Sequence, residues 1–223
     1  MILSPELLVL LEQASAALRQ ELDYSLKPIQ RIRIYKVFGS LAAEQAQRLR
    51  ALLAIYAAQQ VLPRWHESRP TDFRPEQLLN VALRVLHGTV PDKVALAKAL
   101  AVAGVLREGN RSRIEVFFRG EPFTYRDYFV IDTALEAIVE VCGDSLFEKS
   151  AISEGTKDLD LDWWHKDTAS RAAIAYAGAV SDPTGDPNKR REFWEWWLWE
   201  AIPLAWSKSI SGHALPPLYP LPV

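Results

Sequence analysis

Segment after segment of this chain carries apolar residues three and four positions apart, with a proline or glycine at nearly every boundary. That pattern leaves little room for anything but packed helices, because only a 3.6-residue period gathers such positions onto one face. Ser4-Pro5-Glu6 opens the first segment with a capping hydroxyl, a first-turn proline and an acid at the positive dipole end. Leu7, Leu10, Leu11, Ala14 and Leu18 follow at helical spacing. Pro28 opens a second segment, which holds Ile29, Ile32, Ile34, Val37 and Phe38 before Gly39 and partly alternates. A long helix with Leu41, Leu49, Leu52, Leu53 and Tyr56 on one face is expected to close at Pro63, where the amide is missing. Pro75 starts the next helix, with Leu78, Leu79, Ala82, Leu83 and Leu86 directed inward and His87-Gly88 ending it.

Pro91 introduces an alanine-rich helix to about Leu106, and Tyr128, Ile131, Leu135, Ile138 and Cys142 mark another that Gly143 stops. Between them Ile114, Val116 and Phe118 alternate, so a short extended piece is expected near residues 112–119. From Ala169 to Val180 the side chains are so small that a neighbouring helix can approach closely. Asp186-Pro187 caps a last helix, expected to reach about Ala201 before Pro203. The expected fold is all-α, a single domain of about eight helices over residues 1–206. The Pro-rich tail at 207–223 is expected to be extended, laid on the surface or mobile.

Composition narrows the function classes. The chain has 223 residues, 49% of them apolar and 24% charged, which suits an ordinary globular chain with one sizeable core. The single cysteine, Cys142, cannot form an internal bridge and is expected to be a buried, inert thiol. The longest charge-free apolar run, Ala51 to Pro63, is too short for a bilayer, and Glu6 and Glu12 spoil any leader-like start, so the expected location is cytoplasmic. Charge is uneven: through Arg126 there are 18 Lys and Arg against 12 Asp and Glu, and thereafter 8 against 16. Such asymmetry fits either a surface that steers a charged partner or two faces of one domain attracting each other. Scattered basic residues and a pI near 6.1 argue against nucleic acid as the partner.

Few motifs carry chemistry. Asp158-Leu159-Asp160-Leu161-Asp162 begins like a calcium loop, but Trp163 stands at the position that needs glycine and Ala169 where a bidentate glutamate belongs. His66, His87, His165 and His213 are too far apart for a paired metal motif. No phosphate-cradling loop, nucleophile elbow or dinucleotide fingerprint is present, so neither a cofactor nor a metal is expected, and a non-catalytic role is favoured. The alternative is a small-molecule-binding or hydrolytic protein, with Trp163, Trp164 and His165 around a pocket and Glu192 or Glu195 as the acid.

Tryptophan is the informative residue: seven of the eight fall between Trp163 and Trp206, five of them on the last helix or just beyond it. At 100° per residue, Phe193, Trp197 and Leu204 share one stripe and Trp194, Leu198 and Ala201 an adjacent one. Trp196 and Trp199 turn toward Glu192 and Glu195. The helix therefore either anchors the core with one face while Trp199 and Trp196 lie beside carboxylates at the surface, or is buried all round with its indole N–H groups bonded internally.

The run Lys189-Arg190-Arg191-Glu192-Phe193-Trp194-Glu195-Trp196-Trp197-Leu198-Trp199-Glu200-Ala201-Ile202-Pro203-Leu204-Ala205-Trp206 resembles the terminal signature of immunity-protein family five of bacterial polymorphic toxin systems. Asp158-Leu159-Asp160 through Ala177-Gly178, and the helix ending Val61-Leu62-Pro63-Arg64-Trp65, are similar to that family too. Trp199 stands where the family pattern leads one to expect a small or polar residue. The resemblance implies an all-α protein that neutralises a cognate toxin domain by binding it. A toxin that attacks nucleic acid would be basic and would complement the acidic second half. Asp158, Asp160, Asp162, Glu192, Glu195, Trp199 and Glu200 are the candidate partner contacts; oligomeric state is not encoded in any of these features.

Overall fold

A computed structural model describes residues 3–107, 124–143, 167–210, 216, 217 and 219, and every regular element among them is a helix. In chain order these are α1 (Pro5–Gln20), α2 (Pro28–Phe38), α3 (Ala43–Ser68), α4 (Arg74–Leu86), α5 (Asp92–Arg107), α6 (Tyr125–Val141), α7 (Thr168–Ala177) and α8 (Pro187–Trp196). A π-helical turn, Trp197–Ala201, joins α8 without a break to α9 (Ile202–Ile210). With that last run taken as one continuous helix, the described residues hold eight, as the periodicity predicts. The extended piece expected near 112–119 lies outside the described residues.

Two helices sit at the centre. Along α3, Leu49 and the unbroken run Ala51 to Ala58 are buried, and along α6 so is the run Phe129 to Leu135. A helix buried around its whole circumference must be surrounded by others. Accordingly α3 packs on α4, α6, α7 and α9, while α6 touches α4, α5 and α7 as well. Small side chains make this possible: Ala172, Ala175 and Ala177 of α7 are fully buried where it meets both central helices. One hydrophobic cluster runs from Leu7 to Trp206 and takes in residues from all of the helices.

The caps that the sequence advertises are formed. Ser4 accepts from the Leu7 amide at 3.2 Å, and Asp186 accepts from those of Asn188 and Lys189 at 2.9 and 3.2 Å. α7 ends at Gly178, short of Val180, because that residue adopts φ 84°, a left-handed conformation that glycine tolerates. A Cβ there would also lie 2.9 Å from Gly185 Cα, so Gly178 permits the close turn that leads into α8.

Two prolines do not end helices as expected. α3 continues past Pro63 to Ser68, and Pro63 lies on its exposed face, where no packed neighbour has to accommodate the ring. The last helix likewise passes Pro203, which follows directly on the wide π turn; there the Ile202 amide bonds the Trp197 carbonyl five residues back. The π turn has a second effect. It adds a residue to one turn, so the buried stripe that Phe193 and Trp197 begin resumes at Ala205, and Leu204 is 47% exposed instead of joining it. Cys142 is half-buried rather than buried: it caps α6, and its thiol lies 3.5 Å from the Asp92 carbonyl.

Buried charge ties helix ends together. Arg31 of α2 pairs with Asp167, the N-cap of α7, at 3.0 Å, and also donates to the Leu26 carbonyl. Arg171 of α7 reaches Asp132 and Glu136 of α6, and Arg69 lies 3.6 Å from Asp127. Arg190 is buried and donates to the carbonyls of Asp23 and Gly178 at 2.8 and 3.0 Å, clamping the α1–α2 connection onto the start of α8. Burial lowers the pKa of its guanidinium.

Candidate functional site

α8 and the π turn that continues it divide their side chains sharply. Phe193, Trp194, Trp197 and Leu198 are buried, and their rings pack edge-on, Phe193 with Trp194 at 5.2 Å and Trp194 with Trp197 at 5.7 Å between centroids. The guanidinium of Arg31 covers the Trp194 ring at 5.4 Å. The opposite edge recurs at Asn188, Arg191, Glu192, Glu195, Trp196 and Trp199, a helical stripe that faces outward.

This edge forms one wall of an open groove of about 780 Å³. Arg19 from the end of α1 and Gln60 from α3 complete the lining, together with Glu200 in the π turn. Trp199 is 40% exposed, and its indole N–H makes only a long contact, 3.4 Å, with the Ser15 hydroxyl of α1. Trp196 is half-buried and packs on Phe193 at 5.5 Å, so it forms a firmer part of the wall.

The carboxylates of the groove differ in how they are held. Glu195 accepts from Arg191 Nε at 2.9 Å and lies 3.9 Å from Arg19. Glu192 accepts from the Tyr176 hydroxyl at 2.8 Å, and the Tyr176 ring is covered by Arg64 at 4.9 Å. Burial first, and then the hydrogen bond to Glu192, raises the pKa of the Tyr176 phenol, so the hydroxyl keeps its proton as a donor. Glu200 is exposed and makes no ion pair among the described residues. Among those residues, no group of three or more histidine, cysteine or acidic side chains comes together as a metal could use them.

Of the contacts expected from sequence, Glu192, Glu195, Trp199 and Glu200 are therefore gathered on one groove. Asp158, Asp160 and Asp162 lie outside the described residues, as do Trp163, Trp164 and His165 of the alternative pocket. The division of α8 agrees with the reading in which one face anchors the core. The fully buried reading fails twice, since Trp199 is open and the buried indoles of Trp194 and Trp197 find no acceptor among the described residues. Arg19, Gln60 and Tyr176 were not foreseen as part of the site. Only the Arg191–Glu195 spacing of four residues signalled a local pair; convergence of α1 and α3 on α8 has no local signal.

The model of the family described as immunity protein Imm5 matches residues 11–204. The chain belongs to the Imm5 immunity-protein family. That span takes in every helix that lines the groove and agrees with the resemblance carried by the Trp-rich run. No curated protein matches the chain. Immunity proteins of this kind are toxin-neutralising and generally non-enzymatic, which accords with a site built of an exposed indole and surface carboxylates. No helix among the described residues is long and apolar enough to cross a membrane.

Proposed function

We propose that this Imm5 protein neutralises a cognate toxin domain in the cytoplasm by non-catalytic binding, and that the groove beside α8 is the contact surface. Glu192, Glu195, Glu200 and Trp199 are its contacts, and Asp158, Asp160 and Asp162 of the acidic stretch are further toxin contacts. The toxin surface that fits is basic. The observation that carries this reading is Trp199: a large ring left 40% exposed between carboxylates, on a helix whose other face is locked into the core. An indole in that setting buries much area at small entropic cost when a partner arrives, and flanking acids select a cationic rim.

The test is co-expression of the tagged chain with the carboxyl-terminal domain of a large secreted protein encoded beside it. Affinity capture should bring down that domain in equal amount and hold it through a high-salt wash. Glu192→Lys with Glu195→Lys should weaken capture at a melting temperature close to that of the unsubstituted chain. A stable double variant that binds as tightly as the parent would remove this groove from the interface, and failure to capture any neighbouring domain would count against neutralisation by binding.

A further inference from the structure

Two described residues of the proline-rich tail, Pro216 and Tyr219, meet α4 through contacts that the proposed toxin surface does not use. Asn80 of α4 engages Tyr219 through both halves of its side-chain amide. Its Nδ2 donates to the Tyr219 carbonyl at 3.1 Å, and its Oδ1 accepts from the Tyr219 amide at 2.8 Å. At the C-cap of α4, His87 Nε2 meets the Pro216 carbonyl at 3.0 Å. All three contacts are to main chain. An amide that satisfies the N–H and C=O of one residue together does what a neighbouring strand would do for extended backbone.

The spacing also matches. Asn80 and His87 are seven residues apart, so two helical turns separate them, about 10.5 Å along the axis. Pro216 and Tyr219 are three residues apart, one turn of polyproline II helix at about 9 Å. A polyproline segment antiparallel to α4 therefore meets both side chains in register. The contacts impose a sequence rule as well. Position 216 offers only its carbonyl and tolerates proline, whereas position 219 must donate an N–H and cannot be proline. Pro216 is buried, Pro217 exposed and Tyr219 half-buried, so the first proline and the tyrosine carry the side-chain fit. The Tyr219 hydroxyl reaches Gln59 of α3, and burial pushes its pKa up to about 12. The family match stops at residue 204, so Gln59, Asn80 and His87 lie within the shared body and the tail lies outside it.

We propose that this face of α4 is a peptide-binding site for extended segments of the form Pro-Pro-x-Tyr, and that the chain's own tail is its resident, exchangeable ligand. Prolines pre-order the segment, which keeps the entropy lost on docking small.

The test uses the full-length chain and a fluorescently labelled peptide of residues 211–223, read by anisotropy. The Tyr219→Ala chain, whose tail grips less, should bind the peptide saturably and more tightly than the unsubstituted chain does. A Tyr219→Ala chain that also carries Asn80→Ala should bind about tenfold more weakly, the scale of two lost hydrogen bonds, and a peptide with Tyr219→Pro, which loses the amide donor and the tyrosine ring but keeps the carbonyl, should bind more weakly as well. Should Asn80→Ala unfold the chain, His87→Ala at the exposed helix end replaces it, with a smaller loss expected. Amide exchange in the unsubstituted chain tests exchangeability directly. The Tyr219 amide should exchange faster than that of Ile55 in α3 and slower than in the free peptide. Equal peptide affinity with and without the seat side chains would overturn the proposal, as would a Tyr219 amide that opens only with the core.

Discussion

Asp127, Asp132 and Asp167 are buried and each meets an arginine, whereas Glu192, Glu195 and Glu200 stand along a groove open to water. The same functional group is put to two uses. In the interior an aspartate costs desolvation, and it is tolerated only where a guanidinium and backbone donors surround it. Asp167 illustrates this: besides Arg31 it accepts from the Ser170 amide at 2.8 Å, so both oxygens are occupied. Such a group fixes where α2 meets α7 and has nothing left to offer a partner. In the groove, one carboxylate takes a tyrosine proton donor, one takes surface arginines, and Glu200 takes neither. The difference teaches that acidity alone does not mark a contact surface; spare hydrogen-bonding capacity at an accessible carboxylate does.

The largest effect that would separate the two regions comes from Asp167→Asn. Asparagine still caps α7 but leaves Arg31 buried without a counter-ion, and the expected loss is about 3–5 kcal/mol of folding stability. Urea denaturation measures it. Adding Arg31→Met should restore part of the loss, because removing both charges relieves the unpaired one. Toxin affinity of the folded fraction should stay unchanged in either variant. A loss under about 1 kcal/mol would mean that the pair is hydrated, and the contrast with the groove would collapse.

Trp199→Ala is the next in size and acts on the other region. The ring is partly open and holds only a long bond to Ser15, so stability should fall by less than about 1 kcal/mol. Affinity for the toxin domain should fall by about 2 kcal/mol, near 30-fold in Kd by titration calorimetry. Trp197→Ala, two residues earlier and fully buried, should show the reverse pattern, with about 3–5 kcal/mol taken from stability. If the two tryptophans behave alike, the division of the last continuous helix into a core face and a contact face is wrong.

Much of this contrast was legible in the sequence, and the rest was lost for definite reasons. A 100° step per residue is enough to sort Phe193, Trp194, Trp197 and Leu198 from Trp196 and Trp199, since the rule is local to one helix. It misplaced Leu204 because the π turn shifts the register by a residue, and hydrogen bonding five residues back leaves no trace in composition. Pro63 and Pro203 were read as stops for a related reason. Pro63 is tolerated by the exposed face its ring occupies and Pro203 by the π turn before it, and neither can be read from composition. Arg31 carried no sequence signal of its role, because its partner Asp167 is 136 residues away in sequence and enters only through packing. Arg19 and Gln60 joined the groove by the same route.

The smallest effect asks whether the groove carboxylates are equivalent. Glu195→Gln and Glu200→Gln each remove one negative charge from the same surface, and long-range steering of a basic toxin depends on the summed field. Association should therefore slow by about twofold in both at low ionic strength, and the effect should fade as salt rises. Dissociation should distinguish them. Glu200 is free to pair directly with the toxin, so its loss should raise the off-rate about threefold, whereas Glu195 is already engaged by Arg191 at 2.9 Å. Its replacement should raise the off-rate less, because Glu195 meets the toxin while already held by Arg191 and Arg19. Stopped-flow mixing at two salt concentrations separates the two rates. An equal rise in off-rate for both variants would mean that the toxin displaces Arg191 and takes Glu195 for itself, which would make the whole acidic edge of the groove one contact rather than a graded set.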